Sequence, residues 1–185
     1  MKRCCYIADF LSASECDALW QKLSSEEVTW QQEEFRIFGR VVASPRLTAW
    51  FGEPGTNYRY TGVDHVAEYW PTWLDRIREK LRSCCTTRFN FVILNRYLNG
   101  RDYMGWHSDA EKGASPEIAS LSLGAKRPFR IEMPPRAGGH QQANRARYEL
   151  AHGSLLIFDG HLRHQLPKSQ RIHEERINLT FRQIA

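Results

Sequence analysis

The chain has 185 residues, 42% apolar and 25% charged, enough for one globular unit with a full core and too ordinary a composition for a collagen-like or disordered chain. Its net charge of +5 favours an anionic partner such as nucleic acid. Five cysteines, Cys4, Cys5, Cys16, Cys84 and Cys85, make an odd count without C-x-x-C spacing, so they read as reduced thiols of a cytosolic protein and not as a disulfide framework or zinc ribbon.

Residues 4–10 read as a short strand. Ser12-Ala13-Ser14-Glu15 then has the S-x-x-E form of a capping box, with Leu19, Trp20 and Leu23 at helical spacing, which predicts a helix near 13–25. Residues 28–51 alternate short apolar pieces with charges around Gly39 and Pro45 and read as a hairpin followed by an extended crossing segment, with Phe38 beside the turn. Residues 53–62 begin with a turn and end in a short strand that puts Tyr58 and Tyr60 on one face, as core residues or as flanks for a base. Pro71 opens a second helix near 71–83, with Trp73, Leu74, Ile77 and Leu81 as its apolar stripe.

From residue 89 the pattern changes to short strands without intervening helices, at 89–98, 103–109, 117–124, 128–133, 146–150, 153–158 and 175–183. Such a run implies antiparallel pairing in a sandwich or barrel, and a double-stranded β-helix of the jelly-roll kind can hold a metal between its sheets. The Gly- and Pro-rich stretch 134–145 reads as a hairpin loop. No apolar run approaches the ~20 residues of a membrane span, and Asp9 interrupts the start before any secretory core. A monomer in the cytoplasm, or in the nucleus of a eukaryote, is therefore expected, with no membrane partner.

Three segments carry chemistry. Gly105-Trp106-His107-Ser108-Asp109-Ala110-Glu111 places an imidazole and a carboxylate two residues apart in a strand-like region, where alternation points both to one face. They are two of the three ligands of a 2-His-1-carboxylate triad, which leaves positions open on non-haem Fe(II). An isolated H-x-D is more often a pair of polar residues at a strand end, so its neighbours decide. Arg176-Ile177-Asn178-Leu179-Thr180-Phe181-Arg182 alternates without a break, and two arginines on one strand face form a fork-shaped receptor for a dicarboxylate. In Phe89–Tyr97, Asn95 and Tyr97 share a face and have hydrogen bonds to offer the same acid. A third ligand must be a later histidine, and His152, His161 and His164 are the candidates.

The succession FNFVILNRY, GWHSDAE, IASLSLGAKRPF, LAHGSLLIF, H-Q-L-P and RINLTFR, over residues 35–185, resembles the AlkB family of Fe(II)- and 2-oxoglutarate-dependent dioxygenases, in particular its nucleic-acid repair branch. The resemblance selects His164. It implies that His107, Asp109 and His164 bind Fe(II) and are the catalytic centre, and that Asn95, Tyr97, Arg176, Asn178, Thr180 and Arg182 surround 2-oxoglutarate, with O2 as cosubstrate. It further implies that Tyr58 and Tyr60 contact a flipped base, that Glu111 lies near the base's exocyclic amino group, and that Phe38 belongs to a finger that fills the gap in the duplex. Trp106 is a further aromatic candidate for holding the base. Ala110 departs from the animal repair members, which carry an aspartate there.

The expected architecture is α+β, mainly β: a jelly-roll core at 89–185 with two supporting helices and a nucleotide-recognition segment at 1–88, together one dioxygenase domain. The implied reaction is oxidative demethylation of bases such as 1-methyladenine and 3-methylcytosine in single- or double-stranded DNA, with RNA as a further substrate. The alternatives are a related oxygenase acting on protein or a small metabolite, and a silent single-strand-binding module recognised by stacking aromatics and salt-dependent affinity.

Overall fold

The computed structural model describes residues 4–37, 39–60, 63–134 and 144–185. In chain order the elements are β1 (Cys5–Ile7), α1 (Ala13–Leu23), β2 (Glu34–Ile37), β3 (Arg40–Ala43), β4 (Leu47–Gly52), β5 (Asn57–Tyr60), β6 (Val63–Val66), α2 (Asp75–Leu81), β7 (Phe91–Tyr97), β8 (Met104–His107), β9 (Glu117–Gly124), β10 (Arg127–Met133), β11 (Asn144–Leu150), β12 (Leu155–Asp159), β13 (His164–Leu166) and β14 (Arg176–Arg182). Six strands form one sheet in the order β1-β12-β9-β14-β7-β4, and four form another in the order β11-β10-β13-β8. Every pairing is antiparallel, the jelly-roll arrangement expected from short strands without crossover helices.

Strand β14 shows why the sheets sit as they do. All seven of its residues are buried, so the polar half of its alternation faces the interior and not solvent. Ile177, Leu179 and Phe181 join Leu19, Leu23, Ile77 and Leu81 in the cluster that packs both helices on the large sheet. On the other side, Ile118, Leu156 and Phe158 from the large sheet meet Phe129, Ile131 and Leu166 from the small one. The polar side chains of β14 therefore lie between the sheets, where a charge is tolerated only with partners. Emptying the helix-facing side, by Leu179→Ala for example, costs about 2–5 kcal/mol.

Helix α1 starts where its capping box directs: Ser12 Oγ accepts from the Glu15 amide at 3.3 Å and Glu15 Oε2 accepts from the Ser12 amide at 2.7 Å. Cys16, Leu19 and Leu23 are its buried face. The segment opened by Pro71 is a 3-10 turn, Thr72–Leu74, continued by the shorter helix α2. Two short elements depart from the sequence reading. Val63–Val66 is a strand that pairs with β5 as a separate ribbon, and His164–Leu166 is a strand of the small sheet. Among the described residues no helix is long and apolar enough to cross a membrane.

Candidate active site

His107 ends β8 and His164 opens β13, and the two are paired across the strands, with ring centroids 4.2 Å apart. Each Nδ1 lies 2.8 Å from a backbone carbonyl, of Gly105 and of Leu162. A carbonyl only accepts, so both Nδ1 atoms carry the proton and both Nε2 lone pairs point onward. They point at Asp109: His107 Nε2 is 3.6 Å from its Oδ1 and His164 Nε2 is 3.5 Å from its Oδ2. The three ligand atoms all lie within 4.8 Å of one another.

Asp109 is not on a strand, contrary to the expected 103–109, so pleating alone does not align it with His107. Its amide donates to Gly160 O at 2.7 Å, and a Cβ at Gly160 would stand 3.0 Å from Asp109 O and 2.6 Å from Ile118 Cδ1. That contact leaves little room for a side chain at position 160. Burial works to raise the Asp109 carboxyl, but Arg182 and the two histidines outweigh it and hold it well below the usual carboxylate range. Burial, and then the neighbouring His164, push His107 down to about 4. The His107 imidazole thus has a lone pair to offer a cation, and the carboxylate its charge.

The oxo-acid side follows from strand register. β14 lies between β9 and β7, so Asn178 sits opposite Asn95 and Ser122, and Arg176 opposite Tyr97 and Gly124. Arg182 Nη2 donates to Asp109 Oδ2 at 2.7 Å, and Arg176 Nη2 to Ser122 Oγ at 2.9 Å. Arg176 Nε, Arg182 Nε and Arg182 Nη1 are buried without a partner among the described residues. A buried guanidinium left with open donors is a receptor for an anion, since each unsatisfied donor otherwise costs about 1–3 kcal/mol. Burial pushes Arg176 down to about 10; at Arg182 the opposing pull of Asp109 is greater than burial and the cation is reinforced. Asn178 and Thr180 are already engaged: Thr180 Oγ1 donates to Asn178 Oδ1 at 2.9 Å, and Asn178 Nδ2 to Ser120 Oγ and Leu121 O, each at 2.8 Å.

These groups line one cavity of about 720 Å3 including its open mouth. Tyr58 and Tyr60 line it too, their rings 6.2 Å apart and 10° from parallel, and Tyr58 lies over the Arg182 guanidinium at 4.9 Å. Glu111 is close enough to the Tyr58 hydroxyl to perturb it, yet no hydrogen bond of ordinary geometry forms, and Tyr58 Oη and Glu111 Oε2 are both buried without a partner among the described residues. Burial first, and then the Asp109 charge, raise the Glu111 carboxyl.

Not every expected residue converges here. Trp106 does not line the cavity: its neighbour His107 points inward, and the indole lies instead beneath Arg145 at 5.2 Å and Arg163 at 5.8 Å. His161 is exposed and bonded to Asp159, and His152 accepts from the Gly124 amide, so of the three candidate histidines only His164 adjoins Asp109. Phe38, and 135–143 of the predicted loop, lie outside the described residues. The sequence reading missed Arg46, a buried lining residue whose Nε donates to Asn95 Oδ1 at 2.6 Å, and it missed the buried pair Glu33–His65 on the same wall. Neither has a motif; Arg46 sits in an extended Ser-Pro-Arg stretch and His65 in a strand of four residues.

A model of the 2OG-Fe(II) oxygenase superfamily matches residues 3–182. The chain belongs to that superfamily. Like its other members this oxygenase takes Fe(II) and 2-oxoglutarate, and the residues fit both: two imidazoles and a carboxylate suit non-haem Fe(II), and the open donors of two buried arginines suit a dicarboxylate. Among curated relatives, the human DNA oxidative demethylase ALKBH2 is 35% identical over 191 residues, covering 98% of this chain and 73% of its own. The Bos taurus protein of the same name is 34% identical over 92% of this chain. Human alpha-ketoglutarate-dependent dioxygenase alkB homolog 3 is 34% identical over 100% of this chain and 67% of its own. The chain spans 65% of the length of the Bos taurus protein. An oxygenase of the same family from Burkholderia pseudomallei superposes with a TM-score of 0.65 at 14% identity, over 97% of this chain and 84% of that one, which agrees with the jelly-roll fold.

Proposed function

We propose that this dioxygenase reverses alkylation damage in DNA by oxidative demethylation of N-methylated bases such as 1-methyladenine and 3-methylcytosine, releasing formaldehyde. The observation that carries this is the second wall of the cavity. Two nearly parallel tyrosine rings line it beside the His107–Asp109–His164 cluster, with Arg182 against Tyr58 and the half-buried Glu111 carboxyl, raised by burial and by Asp109, near the Tyr58 hydroxyl, a setting for a flat heterocycle with an exocyclic amino group. The relatives named as DNA oxidative demethylases support the same reading.

In this reading His107, Asp109 and His164 hold the iron. Arg176 and Arg182 bind the 2-oxoglutarate carboxylates, with Tyr97, Asn178 and Thr180 shaping the pocket and Asn95 holding Arg46. Bound Fe(II), with 2-oxoglutarate and O2, supplies hydroxylation of a C–H bond coupled to decarboxylation of the oxo-acid to succinate. The protein binds and orients. Tyr58 and Tyr60 form the wall against which a base stacks, Glu111 accepts from its amino group, and Arg182 ties that wall to the metal side by contacting both Tyr58 and Asp109. An N-methyl carbon hydroxylated there is a hemiaminal, which loses formaldehyde and, with release of the proton of the cationic base, restores the unsubstituted ring nitrogen. Residues 1–88 then serve as the recognition segment of a single domain with 89–185, Phe38 as the duplex wedge, and the protein works as a monomer in the cytoplasm or nucleus. Formaldehyde release from a panel of methylated DNA and RNA oligonucleotides, single and double stranded, tests the reading. Release from 1-methyladenine and 3-methylcytosine DNA is expected; 2-oxoglutarate turnover stimulated only by a protein or a small metabolite would replace the substrate class.

A further inference from the structure

The two tyrosines sit on a ribbon, β5–β6, whose strands, among the described residues, pair only with each other. A two-stranded ribbon alone is marginal in water, so side chains must fix its height over the metal cluster. The best-placed one is His65, directly opposite Tyr58 in the ribbon register and 2% exposed. Its Nδ1 is 3.0 Å from Tyr58 O and its Nε2 is 2.6 Å from Glu33 Oε1. A backbone carbonyl only accepts, so Nδ1 donates, and opposite an ionised Glu33 Nε2 donates as well, which makes the ring an imidazolium. Glu33 is held in turn by Thr48 of the large sheet's edge strand, whose Oγ1 donates to Oε2 at 3.0 Å. Trp50, on the same strand, stands edge-on to His65 at 4.7 Å and donates from Nε1 to Val66 O at 3.1 Å. The charged group that faces the pair from outside the ribbon is Arg46, which acts on Glu33. Burial works against the His65 cation, but the bond to Glu33 exceeds it and its pKa is raised.

We propose that the buried His65–Glu33 pair is a positioning device for substrate: it clamps the tyrosine ribbon to the edge of the catalytic sheet and so sets the distance between the stacking wall and the metal cluster. The inference rests on the demethylase reading above. A line of contacts runs from Glu33 through His65 and Tyr58 to Arg182 and Asp109, so the aromatic wall and the metal side keep one geometry. Neither His65 nor Glu33 needs to touch the base; each acts through Tyr58 and its partner Tyr60. The clamp meets the oxo-acid side only indirectly, through the Tyr58 ring over Arg182, so its loss should weaken substrate binding more than 2-oxoglutarate binding.

The test is steady-state kinetics on a methylated oligonucleotide for His65→Gln, Glu33→Gln, the double variant and the milder Thr48→Val, with thermal melts of each. Loss of a charge-assisted hydrogen bond should raise the oligonucleotide KM roughly tenfold in either single variant, with a smaller rise in Thr48→Val. The 2-oxoglutarate KM should rise much less than the oligonucleotide KM. Because the two residues act as one unit, the double variant should be no worse than either single one. Equal rises in both Michaelis constants, additive losses, or unchanged oligonucleotide KM values in variants that melt like the wild type would overturn the clamp while leaving the demethylase reading intact. A wild type inert on every methylated oligonucleotide would overturn both.

Discussion

Arg176 is the sharpest probe of the oxo-acid side, because its guanidinium is fully buried, donates to Ser122 Oγ, and keeps Nε without a partner among the described residues. Arg176→Lys retains the charge and loses the planar fork. A hydrogen bond to a charged group contributes about 1.5–3 kcal/mol, so the affinity for 2-oxoglutarate should fall roughly 10- to 100-fold. Melting temperature reads this without turnover. At an oxo-acid concentration 100 times the wild-type Kd, ligand stabilises the wild type by about 2.7 kcal/mol, and the variant should retain only about 0.4–1.4 kcal/mol. Without oxo-acid the order should reverse for Arg176→Met, which removes a buried cation already pushed down to about 10 and should melt no lower than the wild type. An undiminished ligand-induced shift in Arg176→Lys, with an unchanged 2-oxoglutarate KM, would place the oxo-acid elsewhere.

Gly160→Ala should force Asp109 away from the two imidazoles and weaken Fe(II) affinity several-fold, read by metal titration in the absence of substrate; unchanged affinity would mean that the contact relaxes through Ile118 alone. His164→Ala should abolish metal binding, whereas His161→Ala, which removes an exposed partner of Asp159, should bind metal like the wild type. Stability should depend on pH through the His65–Glu33 pair. Since the folded value of His65 is raised above 6.5 and that of Glu33 lowered below 4.5, the pair's contribution is full between these limits. It is lost as pH rises through the folded value of His65, or falls through that of Glu33. The stability gap between wild type and His65→Gln should therefore narrow on the alkaline side, and a gap that stays constant from about pH 5 to about pH 9 would remove the charged pair.

The long alternating strands were readable because period-2 patterning is a strong local signal. Arg176–Arg182 names its own two faces, and only the assignment of the polar face to the interior, against β7 and β9, needed the structure. His107 and Asp109 were readable by proximity in sequence, although the reason for their closeness is partly Gly160, far along the chain. His164 was beyond any spacing rule, because a three-residue strand leaves no periodicity and the choice among three histidines is made by pairing with β8. Arg46 and the His65–Glu33 pair were illegible for a related reason: each reaches the cavity wall only through a contact with a distant segment. Trp106 shows where local sequence reasoning stops. An aromatic beside a metal ligand looks like substrate machinery, but strand alternation turns it to the other side of the sheet, beside Arg145 and Arg163.

The most direct measurement is the intact mass of a single-stranded DNA oligonucleotide carrying one 1-methyladenine or 3-methylcytosine, followed with time in the presence of the protein, Fe(II), 2-oxoglutarate and O2, while succinate is quantified in the same tube. The expected result is an oligonucleotide lighter by one methylene, one succinate for each methyl lost, and no loss with His107→Ala. Succinate formed without any change in the mass of either DNA would contradict the account, because it would show a working oxygenase whose cavity does not serve a methylated base.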